Sequence, residues 1–99
     1  MRLEKGKLHE TLEKGDYYWK AIYVYDGLNE SDLISLNDSR DGIIADIKSW
    51  LDRYVDDMES DYVIVFKKRY NGKGEKQDVL KKYEYMYGRL AEIIITESK

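Results

Sequence analysis

One segment of helical period stands between segments of strand period, and that order constrains the fold more than any other feature of the chain. Ile43, Ile44, Ile47, Trp50, Leu51, Tyr54, Val55 and Met58 recur at the three- and four-residue spacing of a single apolar stripe. The spacing predicts an amphipathic helix over about 40–57. Asp38 or Ser39 suits the N-cap, and Asp41 falls in the first turn, where a carboxylate meets the positive end of the helix dipole. Asp46, Lys48, Asp52, Arg53, Asp56 and Asp57 fall off the stripe and are expected in solvent.

The flanking segments alternate. From Tyr17 to Tyr25, the residues Tyr17, Trp19, Ala21, Tyr23 and Tyr25 share one face, with Tyr18, Lys20, Ile22 and Val24 on the other. One face is expected against the helix and the other half exposed. Asp26-Gly27 begins a turn, and Leu33–Leu36 returns as a short antiparallel strand. After the helix, Tyr62–Phe66 reads as a strand continuing to Tyr70, and Asn71–Lys76 as the loop of a hairpin. Two readings compete for 78–95. A strand bearing Tyr83, Tyr85 and Tyr87 on one face, a break at Gly88 and a last strand at 93–95 is preferred. The helical period of Val79, Leu80, Tyr83, Tyr87, Leu90, Ala91 and Ile94 is penalised by Gly88. The first fifteen residues fit either an extended segment, which is favoured, or a helix through Leu8 and Leu12. The expected fold is α+β: an antiparallel β-sheet of about four to five strands with one helix across one face, in a single domain over 1–99.

Ten tyrosines in 99 residues, with no cysteine, no proline and one histidine, bear on function. Tyrosine supplies rigid contact area with a polar tip and suits half-wet sheet faces and recognition surfaces. Without cysteine, disulfides and thiolate metal sites are excluded. His9 has no oriented partner visible in the sequence and reads as a surface residue. No catalytic residue, cofactor or metal site is therefore expected, and the chain reads as a non-enzyme. No apolar run is long enough for a membrane span and the N-terminus lacks a signal-peptide pattern, so a cytoplasmic protein is expected. Twelve lysines against five arginines, three alanines and no proline match an AT-rich genome, as in low-GC bacteria and their phages.

Charge is unevenly spread. Residues 1–36 carry −2, residues 37–66 carry −5 and residues 67–99 carry +4, within a net charge of −3. Two candidate surfaces result. Asp52, Asp56, Asp57, Glu59 and Asp61 form an acidic stretch suited to a basic partner, though without the spacing of a calcium loop. Together with the aromatic face of Tyr17, Trp19, Tyr23 and Tyr25 they are the candidate protein-binding residues. Lys67, Lys68, Arg69, Tyr70, Lys73, Lys76, Lys81 and Lys82 form a basic hairpin that could contact phosphates and stack on bases. Lysines also protect sheet edges, and the overall pI of about 5.2 is low for a dedicated nucleic-acid binder.

The order strand, turn, strand, then Ser39–Ala45 opening an amphipathic helix is similar to the front half of HicB-type antitoxins, over residues 17–55. The resemblance concerns element order and implies no functional residue. The function expected from the residues is a small acidic protein-binding module, of the kind a phage or mobile element uses to inhibit a host or defence protein. The alternative is nucleic-acid binding through 67–82. A homodimer through an exposed tyrosine-bearing edge is a further expectation.

Overall fold

The computed structural model describes residues 1–26, 30–74 and 76–94. Six antiparallel strands form one sheet: β1 (Arg2–Leu3), β2 (Tyr17–Val24), β3 (Ser31–Asn37), β4 (Tyr62–Arg69), β5 (Asp78–Met86) and β6 (Arg89–Ile93). Their spatial order is β1-β3-β2-β4-β5-β6. Among the described residues a single α-helix, α1 (Arg40–Tyr54), connects β3 to β4 and packs on β3 and β2. The α+β architecture is thus as the periodicities predict, with two more short elements than expected at the N-terminus: β1 and a 3-10 turn at Leu8–Glu10.

The alternation of β2 decides the two faces. Trp19, Ala21 and Tyr23 point toward α1 and join Ile43, Ile47, Val63, Val65, Tyr83 and Leu90 in the main core. Ile44, Trp50, Leu51, Val55 and Met58 close over it, so the apolar stripe does the packing that its spacing implies. The opposite face carries a smaller core of Leu3, Leu12, Tyr18, Leu36 and Tyr70, with Leu8 packed on it. Residues 4–16 cross this second face, tied down where Gly15 N donates to Tyr70 O and Tyr70 N donates to Asp16 O, both at 2.8 Å. Burial raises the Tyr18 hydroxyl to about 12, with Tyr70 adding to the effect.

Several expectations need correction. The helix stops at Tyr54, because Val55 is already extended at φ −127 and serves as the C-cap. Tyr54, the last residue of the helix, is 64% exposed. Asp46 is not solvated; its side chain is 13% exposed and bonded to the sheet. Residues 78–93 are strands, and the break falls at Tyr87-Gly88, where both residues adopt positive φ. Tyr87 sits in that hairpin turn, 95% exposed, and so leaves the face of Tyr83 and Tyr85. β6 begins at Arg89, which buries Leu90. Gly27, Glu75 and Ile95, named above in a turn, a loop and a strand, lie outside the described residues.

A single bulge interrupts the β2–β3 ladder. Ala21 pairs with Ser35 and Ile22 with Leu33, leaving Ile34 as an extra residue in β3. Ile34 packs on the main core, while the Ser35 hydroxyl donates to Asp46 Oδ2 at 2.6 Å. Two consecutive β3 residues therefore meet the helix.

Candidate functional site

β2 and α1 run side by side, from Trp19 beside Arg40 to Tyr23 beside Trp50, and the two ends of this pair differ chemically. Tyr17 and Val24 are the first and last residues of β2, about 23 Å apart along the strand.

At the first end, rings are paired with cations. Lys67 Nζ lies 4.8 Å from the centre of the Tyr17 ring and 5.6 Å from that of Trp19. Arg69 Cζ lies 5.7 Å from Tyr17, and Arg40 Cζ lies 5.9 Å from Trp19 and 5.4 Å from Tyr83. Each such pair contributes about 0.5–1 kcal/mol at an exposed site. The Tyr17 ring is half exposed, whereas Trp19 and Tyr83 are buried beneath these cations.

At the second end, rings are paired with carboxylates. Tyr25, Tyr23, Trp50 and Tyr54 form a continuous row with centroid separations of 5.0, 5.2 and 5.2 Å. The row crosses from β2 to the last turns of α1 and lines a groove of about 1220 Å³. Asp32, Asp46, Asp56, Asp57 and Asp61 also line it, against the guanidinium groups of Arg2 and Arg53. The carbonyl end of the α1 dipole adds to the negative potential there. Among the described residues no cation lies over the rings of this row.

Three of the five carboxylates hold the groove in shape. Asp61 accepts from the Tyr23 hydroxyl at 2.7 Å and from Asp26 N at 2.8 Å. The backbone bond from Asp26, followed by that from Tyr23, holds the Asp61 carboxyl below its ordinary range. Tyr23 is pushed up, first by burial and then by its bond to Asp61. Asp32 accepts from the Tyr25 hydroxyl at 2.6 Å, and that bond is the main reason Tyr25 is raised. Asp46 accepts from Ser35, Asn37 and Arg2; burial alone would raise it, but the three bonds together hold it below the usual carboxylate value. Asp56 and Asp57 are exposed at the rim.

These depressed carboxyls give a pH dependence of fixed sign. Asp46 and Asp61 bind protons more weakly folded than unfolded. Their contribution is therefore complete above the unfolded value of about 3.9 and is lost as pH falls through the lower folded values. Unfolding followed by circular dichroism from pH 5 to pH 2 should show stability falling, and Asp61→Asn should flatten that fall. An acid limb identical in the variant would contradict a stabilising role for the Asp61 bonds to Tyr23 and Asp26.

The expected protein-binding residues are thus divided. Tyr23, Tyr25, Asp56, Asp57 and Asp61 converge on the groove, whereas Tyr17 and Trp19 lie at the cationic end. Asp52 lies on α1 and Glu59 in the following turn at φ 50, both exposed and neither lining the groove. The basic set is divided too. Lys67 pairs with Trp19 and Lys81 on the helix side of the sheet, while Lys68 pairs with Tyr18 on the opposite side. Lys82 shares the face of Lys68, Lys73 and Lys76 lie in the following loop, and Tyr70 is buried in the smaller core. Comparison with known protein families, curated proteins and solved structures gave no match.

Asp32, Arg2, Trp50 and Tyr54 are groove residues to which the sequence alone assigns no site role. Trp50 and Tyr54 are legible as stripe residues, and only their stacking on Tyr23 reveals the row. Among the described residues no three His, Asp or Glu side chains converge as metal ligands, and no helix is long and apolar enough to cross a membrane.

Proposed function

We propose that this protein is a non-catalytic binding module whose acidic, aromatic groove receives a lysine- or arginine-bearing segment of another protein. The supporting observation is the contrast between the two ends. Where Tyr17, Trp19 and Tyr83 carry their own cations, Tyr25, Trp50 and Tyr54 are framed by carboxylates and carry none among the described residues. A guanidinium or ammonium group entering the groove gains ring-face attraction and carboxylate pairing at once. The groove carboxylates are largely fixed by Tyr23, Tyr25, Ser35 and Asn37, so little ordering is needed on binding.

The test uses an arginine-containing peptide and fluorescence anisotropy at two salt concentrations. Asp56→Asn with Asp57→Asn should weaken binding by about tenfold and flatten its salt dependence. Glu4→Gln with Glu10→Gln, outside the groove, should leave it unchanged. Equal loss in both pairs, or none in the first, removes the groove from consideration.

A second reading, nucleic-acid contact, is favoured by the grouping of Arg40, Lys67 and Arg69 around Tyr17, Trp19 and Tyr83. Neutralising Lys67 and Arg69 should then reduce oligonucleotide binding and its salt slope. Absence of any complex with single- or double-stranded DNA or RNA at low salt ends that reading.

A further inference from the structure

On the sheet face away from α1, a cleft of about 730 Å³ opens beside the smaller core. Its basic side chains come from stretches far apart in the sequence. Lys5 and His9 come from the N-terminal segment, Lys20 from β2, Lys68 from β4, and Lys73 with Lys76 from the loop between β4 and β5. Among the described residues no carboxylate lines it, and none of these five lysines has an ion-pair partner. Gathering five ammonium groups around one concavity is unfavourable unless an anion shares the space. Lys68 is placed accordingly: burial lowers its ammonium group below the ordinary lysine value, and Lys20 and Lys76 lower it further.

The loop that presents Lys73 and Lys76 is braced. Gln77 is buried, accepts from Asn71 N at 2.6 Å and donates to Lys73 O at 3.0 Å. Asn71 in turn accepts from Lys73 N at 2.8 Å and donates to Lys76 O at 3.3 Å. Gly72, at φ +79, lets the loop pass close to Lys14. The cleft floor includes Tyr18, Leu36 and Tyr70, which offer apolar surface next to the charges.

We propose that this cleft binds a compact small molecule bearing two or more phosphate groups and an apolar or ring-containing body, of the nucleoside polyphosphate class. The volume lies within the range of small-molecule pockets. The cations are gathered around one concavity rather than strung along a track, which suits a compact anion better than a nucleic-acid strand. The cleft is on the face opposite the groove, so this site stands or falls independently of the groove's cationic ligand.

The experiment is isothermal titration at low salt with three probes: adenosine triphosphate, inorganic tripolyphosphate and a twelve-residue oligothymidylate. Adenosine triphosphate should bind most tightly and tripolyphosphate more weakly. Lys20→Gln with Lys68→Gln should weaken both by about tenfold or more, each substitution removing a charge-assisted contact. Lys48→Gln with Lys81→Gln, on the helix side of the sheet, should leave nucleotide affinity unchanged. Absence of binding to either phosphate compound at millimolar concentration overturns the proposal, as does equal loss in the two variant pairs. Tighter binding of the oligothymidylate than of the nucleotide, lost on Lys20→Gln with Lys68→Gln, overturns the small-molecule class in favour of a strand. Circular dichroism of each variant checks that the fold is intact.

Discussion

Replacing Gly42 by alanine should destabilise the protein by about 2–4 kcal/mol, although alanine in place of a helical glycine ordinarily stabilises by about 1 kcal/mol. A Cβ at Gly42 would fall 2.6 Å from Asn37 Cγ. Asn37 cannot move aside cheaply. It is 3% exposed, its Oδ1 accepts from the N-terminal ammonium and from Ser39 N at 3.1 Å each, and its Nδ2 donates to Asp46 at 3.0 Å. The N-terminus of α1 thus approaches β3 through a glycine because the end of the strand is occupied by a buried, bonded amide. Urea unfolding of Gly42→Ala, alone and combined with Asn37→Ala, separates the effects: the penalty of the glycine change should largely vanish once Asn37 is shortened. A neutral or stabilising Gly42→Ala would contradict the close approach.

Asp46→Ala should cost about 3 kcal/mol, a large part of the roughly 5–10 kcal/mol expected for a domain of this size. The carboxylate joins α1 to β3 through Ser35 at 2.6 Å and Asn37 at 3.0 Å, and both partners are buried. Alanine would leave the buried Asn37 amide without its acceptor and the Ser35 hydroxyl with only Leu36 O, at 3.3 Å, and a buried donor left unmatched costs more than its bond contributes. Its third partner, Arg2 at 3.1 Å, is exposed, so Arg2→Ala should cost about 1 kcal/mol or less. A thermal or urea series in which Arg2→Ala and Asp46→Ala cost the same would place the energy in the surface pair and contradict the helix–strand link.

The helix and the central strands were legible because their apolar periods are long and unbroken: the Ile43–Val55 stripe on one side, Tyr17–Val24 and Tyr62–Phe66 on the other. The readings that failed involve residues whose partners are distant in sequence. Asp46 stands three residues after Ile43 and four before Trp50, at the margin of the stripe, and only the β2–β3 register, which sets Ser35 opposite Ala21 on the helix side, brings Ser35 to it. Tyr87 continues the alternation of Tyr83 and Tyr85, yet the chain reverses there. The two-residue β1 has too little pattern to be read at all. Candidate sites divide in the same way. Lys68, Lys73 and Lys76 were visible as a basic run, whereas Lys5 and Lys20 join them only through folding. Tyr23 and Asp61 were both singled out, but their 2.7 Å bond joins residues 38 positions apart.

The two tryptophans mark the two ends of the molecule, Trp50 in the carboxylate-framed row and Trp19 beneath Arg40 and Lys67. A proton–nitrogen NMR titration with an arginine-containing peptide reads both indole signals in one experiment. Binding in the groove predicts saturable shifts of the Trp50 indole and of amides in 53–57 and at Tyr25, a still Trp19 indole, and loss of the response in Asp56→Asn with Asp57→Asn. Shifts centred on Trp19, or small non-saturating shifts spread over every exposed carboxylate, would contradict a groove that receives a cationic partner.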